Sequence, residues 1–251
     1  MVNRDNIRRT LVEGFQLSLR RFKLENGGFW GLLFFLIEPL LFFSVIIFVL
    51  TFLLDYRGDN YIIYLLIGLI MFNFFRISCI PSTRLFRNRR KGLRLENLVV
   101  SNVLLSIYSH FVEIVILICF LIYYGMPIGF LFFYPLIFLM YLFFVTGFIL
   151  ALATYGYFYK KLTKVVSLSV KLLWFLTPTF YYIGDNPYFI TINLFNPLYY
   201  FLRITRDLIL NSEFSSIFIY STLNLVSIYV LVCGIYIFYR NREKLLSIDD
   251  S

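Results

Sequence analysis

Residues 61–82 read YIIYLLIGLIMFNFFRISCIPS, with one charged side chain, Arg76. A helix needs about 20 apolar residues to cross the hydrocarbon core of a bilayer, so this stretch reads as a membrane span. The pattern repeats on both sides of it. Residues 29–54 form an earlier apolar stretch. It is too long for the core of a signal peptide and no small-residue cleavage site follows it, so it reads as a retained span. Further stretches lie at about 98–124, 129–159, 165–183 and 216–239. Pro135, near the start of the fourth span, allows that span to be two helical pieces. The expectation is an all-α membrane protein, one transmembrane domain over residues 1–251 with six transmembrane helices. Six spans use most of the 251 residues and leave no room for a nucleotide-binding domain.

Composition agrees. Apolar residues make up 60% of the chain and charged residues 15%, against about 45–50% and about 25% in soluble domains. Mean hydropathy is +0.80. These values exclude a disordered chain, a disulfide scaffold and most soluble enzymes. The net charge of +9 would suit a nucleic-acid partner, but no long stretch is polar enough to be a soluble basic domain.

The basic residues fix an expected orientation. Eighteen of 23 fall in four segments on one side of the spans: the N-terminal tail, residues 84–94, residues 160–164 and the C-terminal tail. The other side holds only Arg57, Arg203 and Arg206. Positive residues favour the cytoplasm, so both termini are expected there, in a multi-pass protein of the cytoplasmic (inner) membrane.

Between the spans, three segments carry information. In residues 4–24, Ile7, Leu11, Phe15, Leu19 and Phe22 recur at helical spacing, opposite Arg9, Glu13, Gln16, Arg20 and Lys23. Such a helix suits the membrane interface, with its cations among the headgroups. It serves as a plain anchor or as a lever around the spans. Residues 84–97 carry six basic residues among Leu85, Phe86, Leu93 and Leu95. They either enforce topology or dock a cytosolic partner. In the external stretch 184–214, Gly184-Asp185-Asn186-Pro187 reads as a turn. Asn196-Pro197 fits an N-cap followed by Pro at the first helical position. Short helices there read as a re-entrant or lid element, or as an ordinary surface hairpin.

No phosphate-binding loop, Gly-x-Ser-x-Gly or His-Glu-x-x-His motif occurs, so catalysis by this chain and a metal site are not expected. His110, the one histidine, reads as a packing residue. Cys79, Cys119 and Cys233 read as small apolar residues within spans. Glu38, Arg76, Glu113 and Lys171 fall inside spans, where charge faces a partner or a cavity. Their depths match as Glu38–Arg76 and Glu113–Lys171 pairs, with a proton or ion relay as the functional alternative.

Several short motifs resemble one family. Phe175-Leu176-Thr177-Pro178-Thr179-Phe180-Tyr181 is similar to a Phe-x-Thr/Ser-Pro-x-x-Tyr segment. Asn196-Pro197 with Arg203 and Arg206-Asp207 is similar to an external Asn-Pro…Arg segment. Gly31 through Glu38-Pro39-Leu40, with Phe34 where Trp is common, and Tyr64 through Gly68 to Phe74-Phe75 complete the likeness. The order and motifs resemble the permease subunit of the ABC-2 type polysaccharide exporters, which move O-antigen, capsule or teichoic acid polymers. One departure is Lys160-Lys161, where the family often carries Arg-Asp.

The resemblance implies a homodimer with two copies of a separate cytosolic ABC ATPase. That partner would bind ATP and Mg, and this chain no cofactor. It implies ATPase docking by the N-terminal helix and by the loop with Arg87, Arg89, Arg90, Lys91, Leu93, Arg94 and Glu96. Arg20, Arg21 and Lys23 are then candidates to meet lipid headgroups and the pyrophosphate of a lipid-linked polysaccharide. Phe180, Tyr181, Tyr182, Tyr199 and Tyr200 are candidates for stacking on sugar rings, against the alternative of an interfacial aromatic belt. Two other functions fit the same architecture: export of a drug, lipid or peptide, and an ATPase-independent channel or ion-coupled carrier.

Overall fold

A computed structural model describes residues 4–25, 27–50, 60–89, 92–182 and 187–247. Among them every regular element is helical: α1 (Arg4–Glu25), α2 (Gly28–Phe48), α3 (Tyr61–Ser82), α4 (Leu95–Tyr123), α5 (Tyr134–Phe158), α6 (Leu162–Leu176), α7 (Pro187–Leu194), α8 (Pro197–Leu210) and α9 (Ile217–Ser247). Four of these are long and apolar enough to cross a membrane: α3, α4, α5 with the 3₁₀ turn before it, and α9.

Helix α3 is the axis of the bundle. Leu65, Leu66, Ile67, Leu69, Ile70 and Met71 are all buried, because α4, α5, α6 and α8 pack around it, with α2 making a lighter contact. In the fourth span, a 3₁₀ turn (Gly129–Phe133) precedes α5, with Pro135 in the first helical turn. There its missing N–H leaves no bond unmade.

The fifth span departs from the expectation of one helix over 165–183. Helix α6 has 15 residues and stops at Leu176. At about 1.5 Å per residue it reaches about 22 Å, short of the roughly 30 Å core. The cause is Pro178, which disfavours helical backbone in the residue before it. Thr177 accordingly sits at φ −82°, ψ 135°. The first expected span is described only to residue 50, and its end lies outside the described residues. Helix α9 runs past the expected end at 239, carrying Arg240, Arg242 and Lys244 on continuous helix. Its C-terminal end is tied to α4, where Arg242 Nε donates to Glu96 Oε1 at 3.0 Å.

Helix α5 pairs most extensively with α9. Gly147 and Gly234 face each other at the crossing: a Cβ on Gly234 would overlap the Gly147 backbone, and one on Gly147 the Val230 carbonyl. Small residues let helix backbones approach this closely.

Helix α1 lies along α4. It turns its narrow side inward: Gly14 packs against Val100, Ser18 Oγ lies 3.1 Å from the Tyr108 hydroxyl, and Phe22 meets the Tyr108 ring edge-on. Of the apolar stripe that the sequence marks, Leu11, Phe15 and Leu19 stay exposed while Phe22 packs inward. Asn97 Nδ2 donates to Glu13 Oε2 at 2.7 Å. The hydrogen bond from Arg9, then that from Asn97, holds the Glu13 carboxyl below its ordinary pKa. A carboxylate held low contributes stability above its unfolded pKa, and loses it as pH falls through the folded value. Docking of α1 is therefore expected to be complete at neutral pH and to loosen below the ordinary carboxylate range. Amide hydrogen exchange over residues 8–24, corrected for intrinsic rate, reads this directly. The dependence should vanish in Glu13→Gln.

Candidate functional site

The break after α6 creates the site. Residues 178–181 run without helical hydrogen bonds, and four successive carbonyls need donors. Side chains of α3 and α8 supply all four. Arg206 donates Nη1 to the Pro178 carbonyl at 2.7 Å and Nη2 to the Thr179 carbonyl at 2.9 Å. The Tyr61 hydroxyl donates to the Phe180 carbonyl at 2.6 Å, and Tyr64 to that of Tyr181 at 2.9 Å. Arg206 also reaches the Tyr64 carbonyl at 3.2 and 3.3 Å, and its guanidinium lies 3.4 Å from the Tyr64 ring centroid. Among the described residues no carboxylate pairs with it; Asp207 turns instead to Ser215 at 2.5 Å and to Arg203 at 3.9 Å. Burial pulls the Arg206 pKa down to about 10, which leaves it charged at neutral pH.

Two further residues hold the segment. Asn196 caps α8 by accepting from Leu198 N at 3.1 Å, and donates Nδ2 to Thr177 Oγ1 at 2.8 Å. Gly68 sits where the Thr179 carbonyl crosses α3, so close that any Cβ would overlap it.

Beside this staple lies a pocket of about 320 Å³, lined by Asn60, Tyr64, Tyr182, Tyr199, Arg203 and Asp207 among others. The Tyr64 and Tyr182 rings meet at a tilt of 35° with centroids 4.2 Å apart. Aromatic faces beside a cation, a carboxylate and amides make a surface that can hold a polar ring by its apolar face and its hydroxyls.

Of the five aromatic residues singled out in the sequence, the structure brings Tyr182 and Tyr199 to this pocket. The other three turn elsewhere. The Tyr181 hydroxyl meets the Phe175 and Leu176 carbonyls, both at 3.0 Å. Phe180 packs on Trp174, and the Tyr200 hydroxyl donates to Leu194 at 3.2 Å. Tyr61, Tyr64 and Asn60 escaped the sequence reading because they sit at the start of an apolar span. Their signal was a pair of tyrosines one turn apart.

At the far end of α4, Arg20, Leu93 and Arg94 line a small hollow of about 190 Å³ with Glu13 and Gln16. Lys23 is exposed and Arg21 half-buried. Arg87 donates to the Gly156 carbonyl at 3.4 Å, and Arg89 is half-buried. Arg90 and Lys91 lie outside the described residues.

Neither expected ion pair within the spans forms. Arg76 donates Nε and Nη2 to Asn73 Oδ1 at 2.9 and 2.6 Å, while Glu38 is exposed. Glu113 is fully buried, takes a short hydrogen bond from Asn73 Nδ2, and lies 3.8 Å from His110 Nδ1. Lys171 is on α6, which packs on α3 as α4 does. Matching depth does not say which face a side chain takes. His110 is buried, stacked on Phe138 with Nε2 2.6 Å from the Tyr134 hydroxyl.

The broken segment is thus pinned back onto the central helix of a bundle in which four helices are long and apolar enough to cross a membrane. The chain belongs to the ABC-2 type transporter family, whose model matches residues 18–210. It is similar to two Klebsiella pneumoniae proteins named O-antigen export system permease protein RfbA. One is 26% identical over 226 residues, covering 87% of both chains. The other is 25% identical over 231 residues, covering 89% of both.

Proposed function

We propose that this chain is the transmembrane subunit of an ATP-driven exporter that moves lipid-linked polysaccharide across the cytoplasmic membrane. The observation that carries the proposal is similarity to O-antigen export permeases over 87–89% of both chains, combined with a pocket walled by tyrosines beside the broken span. In this reading six segments cross the membrane, with α2 and the α6 break region completing the four long spans, and both termini in the cytoplasm. Two copies of the chain form the conduit. Two copies of a cytosolic ABC ATPase bind ATP and Mg and drive it, docking on α1 and the segment before α4. Arg20, Arg21 and Lys23 face headgroups and the pyrophosphate of the substrate.

Two results together test this. The chain should co-purify with the ATPase encoded beside it, and its deletion should remove surface polysaccharide. Failure of both would sink the proposal. Within the pocket, Tyr182→Ala and Tyr199→Ala are expected to lower polymer export about three- to tenfold, the scale of one aromatic stacking contact. Tyr200→Phe should leave export unchanged, as read by pulse-labelled surface polymer.

A further inference from the structure

A second cavity, of about 330 Å³, opens between α2, α3 and α6, with Arg76, Lys171, Asn73, Phe42, Phe72 and Trp174 in its wall. Both cations lie well inside the apolar layer. Arg76 is six residues from the end of α3, and Lys171 nine from the start of α6. At about 1.5 Å per residue these are depths of about 9 and 14 Å.

Charge at such depth needs a counter-charge or a watery cavity. No acidic residue is among the described residues lining this one. The carboxylate of Glu113 lies behind Asn73, which spends its amide on both sides: Nδ2 donates to Glu113, and Oδ1 takes Nε and Nη2 of Arg76. Asn73 thus fixes the guanidinium as a fork whose Nη1 has no protein partner among the described residues. Lys171 makes no hydrogen bond or ion pair there with the described residues. Phe42 stands 5.9 Å from the guanidinium carbon, and most of the remaining wall is apolar.

We infer that this cavity is a binding site for the anionic phosphoryl headgroup of a lipid. The fork of Arg76 and the point charge of Lys171 suit phosphate oxygens. The phenylalanines and Trp174 suit the first carbons of a chain. A bilayer phospholipid and a phosphorylated isoprenoid carrier share this chemistry. Only the second source rests on the exporter reading.

Trp174 lines the cavity and reports on it. The chain has two tryptophans, so Trp30→Phe leaves Trp174 as the sole emitter. In neutral maltoside micelles, phosphatidylglycerol with brominated acyl chains should quench Trp174 at a mole fraction about tenfold lower than brominated phosphatidylcholine, the scale of one hydrogen bond to a charged group. Arg76→Gln and Lys171→Gln should each remove that preference, and Arg76→Lys should keep part of it. Ser167 also lines the cavity; Ser167→Phe, which fills it and keeps both charges, should abolish quenching by either lipid at low mole fraction and serves if the Gln variants do not fold. Unbrominated phosphatidylglycerol or farnesyl diphosphate should restore emission, and farnesol should not. Restoration by phosphatidylglycerol alone assigns the site to bilayer lipid. Restoration at far lower concentration by the diphosphate assigns it to an isoprenoid carrier. Equal quenching by both brominated lipids, or a preference that survives both Gln substitutions, would overturn the inference. So would loss of dimerisation without loss of quenching in Arg76→Gln, which would give the cations to a second copy. None of these results bears on co-purification with the ATPase.

Discussion

Replacing Arg206 with methionine is expected to be among the most damaging single changes in this chain. Among the described residues the guanidinium is the only donor to the Pro178 and Thr179 carbonyls, and it also meets Tyr64. Methionine fills a similar volume and offers no donor. A buried polar group left unpaired costs about 1–3 kcal/mol. Two or three such groups would cost more than the relief of no longer burying a charge. A net loss of about 3 kcal/mol is expected, or about 6–12 °C in Tm for a chain of this size. The segment 177–181 should then leave α3, and export should fall with it. Arg206→Lys should lie between, because one ammonium cannot reach three carbonyls as a planar fork does. Thermal unfolding of the purified protein reads the effect. A Tm within about 2 °C of the native value would show that the carbonyls have found other donors.

The second large effect is expected at the α5–α9 crossing. Alanine at Gly147 or Gly234 places a methyl group on a partner backbone rather than on a side chain that can rotate away. Overpacking typically costs about 1–3 kcal/mol, and a rigid neighbour puts these sites at the upper end. Gly147→Val should prevent recovery of monodisperse protein. Because both glycines serve one crossing, the Gly147→Ala/Gly234→Ala double variant should lose less than the sum of the two single losses. Gly129→Ala is the control, since a Cβ there meets nothing within 4 Å. Equal behaviour of Gly129→Ala and Gly147→Ala in yield and Tm would refute the close crossing.

The helical class, the long spans and the cap at Asn196 are legible in the sequence because each depends on local composition. The end of α6 was also written there, in Thr177-Pro178, but the run of apolar residues beyond it hides the break. The staple was not legible. It joins Tyr61, Tyr64 and Gly68 to a segment more than 100 residues later, and carbonyl groups leave no trace in side-chain identity. The intramembrane charges show the same limit. Their depths followed from counting, yet Asn73, a neutral residue, decides where Arg76 points. Clustering in the sequence groups five aromatic residues, and the fold separates them: Tyr182 and Tyr199 line the pocket, Phe180 packs on Trp174, and the Tyr181 and Tyr200 hydroxyls bond backbone carbonyls.

The glycine crossing has a mechanical meaning. Helix α9 spans 31 residues, a stiff rod about 46 Å long. Gly234 divides it into arms of about 26 and 20 Å. The two backbones come closest at this crossing, so a rigid-body tilt of α9 against α5 would have its pivot there. A tilt of about 6° would move one tip by about 3 Å and the other by about 2 Å in the opposite sense. The C-terminal tip is latched to Glu96 through Arg242, so a push on the start of α4 would swing the opposite tip like a see-saw.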